Sequence, residues 1–320
     1  MKMKFCMIGC GRHATSWHGP AQRLCANGDV ELAACCDRDE SRAVQYQEAF
    51  GFQRHYQDLD TMLEKEKPDA VCLVLPTHLT GQVAERLLDR AIPLLMEKPP
   101  AMTHEGLERL IAAADRGKAI HQVAFNRRSM PVLVQARALL DEILPPNEVL
   151  DIHYEMLRND RRDDDFSTTA IHAFDAALFL ARSPYRRAAF SYRELPQLGA
   201  GVTQTLVDAE FACGTRIHLS ILPVCGLSAE RVALHGINHS IFVALFEESL
   251  SHWQGGREQV TLSASKDPTL AGMGFTEETE AFFEALRQGK QGHPSLKETR
   301  QSIALMEAMH NRQALIEWPS

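Results

Sequence analysis

Apolar runs that alternate with helical stretches in the first 124 residues constrain the fold of this chain most strongly. Five short runs are mostly apolar, and segments of mixed polarity separate them: residues 3–8, 30–36, 70–75, 92–96 and 119–124. A strand that is apolar on both sides must be covered on both faces, as in parallel sheets with helices packed on each side. The sequence therefore predicts an α/β fold for residues 1–123.

The pattern changes near residues 122–128, and this change marks a predicted domain boundary. A strong helix is predicted over 167–182, and residues 187–247 then form strand-like runs with little helix between them. One pair of runs is typical of a hairpin with Cys213-Gly214 at its turn. We therefore expect a second domain over 124–320, of α+β type with a mostly antiparallel sheet.

Composition limits the class of partner. The chain has 42 acidic and 34 basic residues, a net charge of −8, which disfavours a protein that binds nucleic acid or anionic membranes. No segment is long and apolar enough to predict a membrane span, so we expect no membrane partner and a cytoplasmic location. The eight cysteines form no CxxC pair, and we expect mostly buried, reduced thiols.

A glycine motif, Gly9-Cys10-Gly11, joins the first predicted strand to the first predicted helix. Ala14 takes the third position of the GxGxxG/A fingerprint, whose glycines let the backbone approach a pyrophosphate at a helix N-terminus. The second strand ends at Asp37, an acid placed to accept hydrogen bonds from ribose hydroxyls. This order of strand, glycines, helix, strand and acid predicts a Rossmann dinucleotide-binding domain. The alternative for Asp37 is a helix N-cap.

Asp37 also bears on the choice of dinucleotide. A carboxylate repels the 2′-phosphate of NADP, so we expect NAD, while Arg38 keeps NADP open because it could clamp that phosphate. Further cofactor contacts are expected from the glycine loop and from the end of the run 70–75: Arg12, His13, Leu75, Pro76 and His78.

Gly19-Pro20 lies well inside the first predicted helix. Proline removes a helical hydrogen bond and clashes with the preceding turn. We therefore expect a kink or a break near His18.

The stretch Met96-Glu97-Lys98-Pro99-Pro100 ends a predicted strand at the same sheet edge as the glycine motif. Side chains alternate along an extended chain, so Glu97 can face the cofactor ribose while Lys98 faces the substrate. A lysine beside the positively charged nicotinamide of NAD⁺ is favoured in its neutral form and can accept the proton of a reacting hydroxyl. The prolines fix the backbone there, and the Lys98–Pro99 bond is a candidate for the cis form. The alternative is an exposed charged loop.

The order of these motifs resembles the glucose–fructose oxidoreductase/inositol dehydrogenase/MocA family over nearly the whole chain. The matching segments are GCGRHA, CCDRDESRA, VLPTHLT, MEKPPAMT and AFNRRSMP, followed by a helix that carries IHAFD. The resemblance implies a Rossmann domain followed by a domain with a large open sheet, through which such proteins associate, here as a homodimer or homotetramer. It also implies NAD(P)-dependent oxidation or reduction of a sugar or cyclitol, with Lys98 as the catalytic lysine, and makes Asn126 and Arg128 candidate cofactor or substrate contacts.

His172, on the predicted helix 167–182, is the second candidate catalytic residue. It shares a helix face with Thr168 and Asp175, and Asp175 is close enough in sequence to orient its ring. The family pattern places an acid four residues before this histidine, and the chain has Thr168 there instead. A threonine can hydrogen-bond to substrate but cannot relay protons, so this departure bears on the substrate and on the activity itself.

Arg158 is a candidate for binding an anionic group of the substrate, with a solvated loop as the alternative. No metal site is expected, because the candidate pairs His172–Asp175 and His235–His239 lack a convincing third ligand.

The sequence thus predicts an oxidoreductase that transfers a hydride between nicotinamide and a hydroxyl carbon of a sugar, cyclitol or related polyol. The substrate contacts expected are Lys98, Arg128, Arg158, Thr168 and His172. Two alternatives stay open: a nucleotide-binding sensor or scaffold without turnover, and a lyase or epimerase that uses bound NAD transiently.

Overall fold

The computed structural model describes residues 2–262 and 272–319 of the chain. Contacts divide it into two compact units. The first contains Met1–Asn126 and Gly274–Arg300, and the second contains Arg127–Met273 and Gln301–Ser320. The chain therefore leaves the first unit after Asn126 and returns to it near its end.

A six-stranded sheet forms the centre of the first unit. Its strands are β1 (Met3–Ile8), β2 (Val30–Cys36), β3 (Arg54–Tyr56), β4 (Ala70–Leu73), β5 (Leu94–Glu97) and β6 (His121–Ala124). Their order is β3-β2-β1-β4-β5-β6, and each adjacent pair is parallel. Successive strands are added on one side from β1 to β3 and on the other side from β4 to β6. The strand order therefore reverses between β1 and β4, as in a doubly wound sheet. The predicted Rossmann fold is confirmed.

Five helices connect these strands: α1 (Gly19–Cys25), α2 (Glu40–Phe50), α3 (Leu59–Glu66), α4 (Thr77–Asp89) and α5 (His104–Gly117). A π-helical turn, Ala14–His18, precedes α1, and Pro20 lies in the first turn of α1. The helix continues through His18 and changes from π-helical to α-helical there, so the predicted break is absent at this position. Thr103 caps α5 by accepting a hydrogen bond from the Gly106 N–H at 3.0 Å, as its position before the helix predicts.

A nine-stranded sheet forms the second unit. Its strands are β7 (Val149–Asn159), β8 (Tyr185–Glu194), β9 (Thr203–Phe211), β10 (Arg216–Cys225), β11 (Ala229–Gly236), β12 (His239–Ala244), β13 (Ser249–Gln254), β14 (Arg257–Leu262) and β15 (Leu315–Glu317). Their order is β14-β13-β12-β11-β7-β10-β9-β8-β15. Among the described strands of this nine-stranded sheet, only the β7–β10 pair is parallel, so the expected large, mostly antiparallel sheet is confirmed.

Two helices, α6 (Pro131–Ile143) and α7 (Ser167–Ala181), pack on one face of this sheet. Helix α7 begins where the sequence predicts and ends one residue before Arg182, which caps it in the left-handed conformation. Its apolar residues Ala170, Phe174 and Leu180 are fully buried in the core of the second unit. The hairpin predicted at Cys213-Gly214 is present between β9 and β10, with Gly214 at φ +96°.

Helix α8 (Phe275–Gln288) belongs to the first unit, although the sequence division after residue 123 assigned it to the second domain. Phe282 and Phe283 are fully buried there, and the ring of Phe283 lies 5.0 Å from that of Phe5 on β1. Apolar burial against the six-stranded sheet thus holds α8 in the first unit. The predicted domain division between residues 123 and 124 stays a prediction.

The last helix, α9 (Arg300–His310), buries Leu305 and Met309 in the core of the second unit. It follows a short 3₁₀ turn, Leu296–Thr299, whose start carries a capping box formed by Ser295 and Glu298. In the part of the chain that the structure describes, none of the helices combines the length and the apolar character that a bilayer span requires. All eight cysteines are free thiols, and six of them are buried.

Candidate functional site

The glycine turn lies between β1 and the π-helical turn. Gly9 has φ +90°, and a Cβ on it would lie 2.0 Å from the carbonyl oxygen of Val74, just after β4. Only glycine fits this position without strain. At Gly11, by contrast, no described atom outside the local backbone and the two neighbouring residues comes within 4 Å of the place a Cβ would take. The turn is therefore pressed against β4 on one side and open on the other.

Asp37 follows β2 and ties that strand end to the glycine turn. One of its carboxylate oxygens accepts a hydrogen bond from the Cys10 N–H at 2.8 Å, and the other accepts from the Asp39 N–H at 2.9 Å. The cap of α2 is Asp39, whose carboxylate accepts from the Ser41 N–H at 3.0 Å. The alternative reading of Asp37 as a helix cap is therefore wrong. Arg38 is exposed beside it.

Glu97 is the last residue of β5, and only 7% of its surface is exposed. Its Oε1 atom accepts hydrogen bonds from Nε2 of His13 at 3.0 Å and from Nε2 of His18 at 2.9 Å. Burial raises the pKa of Glu97, but the hydrogen bonds from the two imidazoles outweigh burial and hold that pKa well below its ordinary value. The sequence analysis predicts that Glu97 faces the cofactor ribose. In the structure, two histidines bind its carboxylate.

Lys98 follows directly, is half-buried, and begins a cis peptide bond to Pro99, as the sequence suggested. Because β5 ends at Glu97, Lys98 lies just beyond the carboxyl end of this strand. Gly9 and Asp37 follow β1 and β2 at the same carboxyl edge, because the strands are parallel. Dinucleotides bind doubly wound sheets at this edge, where the strand order reverses.

The residues after β4 lie at the same edge of the sheet. Leu75 is half-buried, and Pro76 and His78 are exposed at the start of α4. The hydroxyl of Thr80 donates to the Leu75 carbonyl at 3.2 Å and so fixes this first turn. Asn126 follows β6 and is 2% exposed. The exposed Arg12 precedes His13 in the glycine loop.

The second unit contains His172, which is 6% exposed in the middle of α7. The neighbouring Asp175 accepts two hydrogen bonds from Arg128, at 2.7 and 2.8 Å, and one from Ser302 at 3.1 Å. The carboxylate proposed to orient His172 thus holds Arg128 in a bidentate pair. Thr168 is half-buried one turn before His172.

Arg158 belongs to a buried charge cluster in the second unit. Its guanidinium pairs with Glu230, which also accepts from Arg127 at 2.6 Å and from the Tyr154 hydroxyl at 2.7 Å. Burial raises the pKa of Glu230, yet the charges of Arg127 and Arg158 bring it down to about 2. The structure therefore places Arg158 on a protein carboxylate, and no spacing in the sequence indicated this pairing.

Comparison with known proteins supports the fold of the first unit. Residues 3–125 match the family model GFO_IDH_MocA, described as an oxidoreductase family with an NAD-binding Rossmann fold. The chain is 31% identical over 126 residues to the D-glucoside 3-dehydrogenase of Escherichia coli K12, across 39% of this chain and 35% of that protein. It is 25% identical to the inositol 2-dehydrogenase of Rhizobium meliloti 1021, across 56% of this chain and 55% of that protein. These matches span about a third to a half of the relatives' length.

The fold extends over almost the whole chain. A dehydrogenase from Chromobacterium violaceum superposes with a TM-score of 0.87 at 18% identity, across 98% of this chain and 96% of that one. At this identity the similarity shows the fold. The similarity to the glucose–fructose oxidoreductase/inositol dehydrogenase/MocA family of oxidoreductases, with its NAD-binding Rossmann fold, thus covers residues 3–125.

Proposed function

We propose that this protein is an NAD-dependent dehydrogenase that acts on a CH–OH group of a sugar, cyclitol or related polyol. The observation that carries the proposal is Lys98, which follows β5 at the same sheet edge as the glycine turn and Asp37. The dehydrogenases that the chain matches act on a glucoside and on inositol, by their names. NAD, when bound, takes up or supplies the hydride.

The residues of the first unit fit a dinucleotide. The space beside Gly11 lets a pyrophosphate approach the backbone, and the helix that follows supplies N–H groups and a partial positive charge. The carboxylate of Asp37 has lone pairs beyond its two backbone hydrogen bonds and can accept from ribose hydroxyls. Its charge favours NAD, and the exposed Arg38 keeps NADP as the alternative.

We assign the proton transfer to Lys98. Beside an oxidised nicotinamide, the ammonium form of lysine is disfavoured, so the amine accepts the proton of the reacting hydroxyl as the hydride leaves its carbon. In the same proposal His172 orients that hydroxyl or shares its proton, while Thr168 and Arg128 contact the substrate. Arg158 stays a candidate substrate contact, although Glu230 binds its guanidinium.

Two further proposals concern the whole protein. The open face of the nine-stranded sheet exposes Phe242 by 43% and Trp253 by 40%, and we propose that copies of the chain associate there as a homodimer or homotetramer. We also propose a cytoplasmic location.

The function is tested by the absorbance of reduced nicotinamide when the protein and NAD⁺ meet a panel of sugars and cyclitols. Turnover on at least one compound supports the dehydrogenase. Tight NAD binding without turnover on any compound would indicate the sensor, which the replacement of the family acid by Thr168 motivates. Substrate conversion without net reduced cofactor would indicate a lyase or epimerase.

Replacing Asp37 with asparagine should weaken NAD binding by about tenfold or more, since a hydrogen bond to a charged group contributes about 1.5–3 kcal/mol. NADP should lose less, because the repulsion of its 2′-phosphate disappears. Calorimetric titration with each dinucleotide measures both effects. The matched control is Asp39→Asn, two residues away, because asparagine also caps α2. Equal NAD affinity in both variants would contradict the ribose role of Asp37.

A further inference from the structure

Three potential metal ligands converge in the first unit. Nε2 of His13 and Nε2 of His18 lie 3.0 and 2.9 Å from Oε1 of Glu97, and the three atoms lie within 4.8 Å of one another. His18 and Glu97 are buried, whereas the side chain of His13 is 47% exposed. The cluster therefore has a buried floor and one ligand that faces solvent.

The π-helical turn brings the two histidines together. In an α-helix, residues five apart point about 140° away from each other. A π-helix bonds residue i to residue i+5, so residues with this spacing lie one above the other. His13 flanks the π-helical turn Ala14–His18, and His18 ends it. This local geometry explains why the spacing His13–His18 gave no metal signal in the sequence.

The types of ligand and the two N–O separations suit zinc. Zinc takes imidazole nitrogens and carboxylate oxygens at about 2.0–2.1 Å in a tetrahedron, whose neighbouring ligands are then about 3.3 Å apart. The two N–O separations of 3.0 and 2.9 Å need to grow by only a few tenths of an ångström. A carboxylate with two neutral imidazoles presents one negative charge to the ion.

The surroundings of His18 supply the outer partner that a metal-bound histidine needs. Its Nδ1 atom lies 3.9 Å from Sγ of the buried Cys72. When Nε2 binds a metal, the proton resides on Nδ1, which then donates toward that sulfur and fixes the ring. The ring of Phe275 lies 5.4 Å from that of His18 and closes one side of the cluster.

We propose that His13, His18 and Glu97 form a binding site for a divalent transition-metal ion. The bound ion is Zn²⁺, and water is its fourth ligand. Metal binding is measured without substrate or turnover, so this proposal can fail independently of the proposed hydride transfer. The competing interpretation is a purely structural pair of histidine–carboxylate hydrogen bonds.

The test is Zn²⁺ binding to the metal-free full-length protein, measured by competition with a chromophoric chelator. We expect one site per chain that His13→Ala weakens by more than the roughly 10- to 100-fold that loss of an outer-shell partner costs. His310→Ala is the matched control, because that side chain is also 47% exposed and contacts a carboxylate, Asp165, at 2.9 Å. It should leave the affinity unchanged.

A second readout uses Co²⁺ in place of Zn²⁺. The parent protein and His310→Ala should show the visible absorption of tetrahedral Co²⁺, and His13→Ala should lack it. Circular dichroism of His13→Ala should match the parent, since His13 lies partly in solvent. No Zn²⁺ binding by the folded parent, or equal affinity in His13→Ala and the parent, would overturn the proposal.

Discussion

The Lys98→Ala variant should form reduced nicotinamide about 10²- to 10⁴-fold more slowly than the parent, the range that general acid–base catalysis contributes. Alanine removes the principal group that we assign to accept the hydroxyl proton. NAD binding should persist, because Gly9, Gly11 and Asp37 lie on other strand ends. The measurements are kcat for the best substrate of the panel and the Kd for NAD.

Two further variants separate proton transfer from charge. Lys98→Arg keeps the positive charge but cannot release a proton at neutral pH, so it should be nearly as slow as Lys98→Ala. Lys65→Ala, which removes an exposed lysine from α3, should retain the parent rate. A kcat of Lys98→Arg equal to that of the parent would contradict the proposed role of Lys98 in proton transfer.

Gly9→Ala and Gly11→Ala should have opposite consequences, although the two residues flank the same cysteine. At Gly9, the added methyl group meets the Val74 carbonyl at 2.0 Å and φ is +90°, so unfolding free energy should fall by at least about 1–3 kcal/mol. At Gly11 the methyl group enters open space, so stability should stay within about 0.5 kcal/mol of the parent. Denaturant titration measures both values.

The NAD affinity of Gly11→Ala completes this comparison. The methyl group would fill the space through which a pyrophosphate approaches the backbone, so NAD binding should weaken by about tenfold or more, which is about 1.4 kcal/mol. A stable Gly11→Ala variant with parent-like NAD affinity would place the dinucleotide elsewhere. A Gly9→Ala variant as stable as the parent would contradict the close approach of the turn to β4.

The parts of the fold that carry a local signal could be predicted from the sequence. Strands β1, β2, β4 and β5 are buried on both faces, and their continuous runs of apolar residues predict this burial. Strand β3 was missed, because Arg54–Tyr56 is a short edge strand without an apolar run. The return of α8 to the first unit was also missed, since it depends on burial against residues more than two hundred positions earlier.

In the candidate site too, some features could be predicted from the sequence and others could not. Gly9, Asp37 and Lys98 each follow a strand, so the topology alone brings them to one edge of the sheet. The partners of charged side chains depend on tertiary packing, which spacing does not report. Asp175 was expected to serve His172 and instead binds Arg128, while Arg158 pairs with Glu230 on β11.

The proposed reaction transfers a hydride directly between the substrate carbon and C4 of the nicotinamide. The most direct test supplies NAD⁺ and a sugar or cyclitol from the panel that carries deuterium at the carbon of the reacting hydroxyl. We predict that mass spectrometry and NMR will find the deuterium at C4 of the reduced nicotinamide. Oxidised or rearranged sugar whose deuterium appears in solvent, with unlabelled cofactor, would contradict the account.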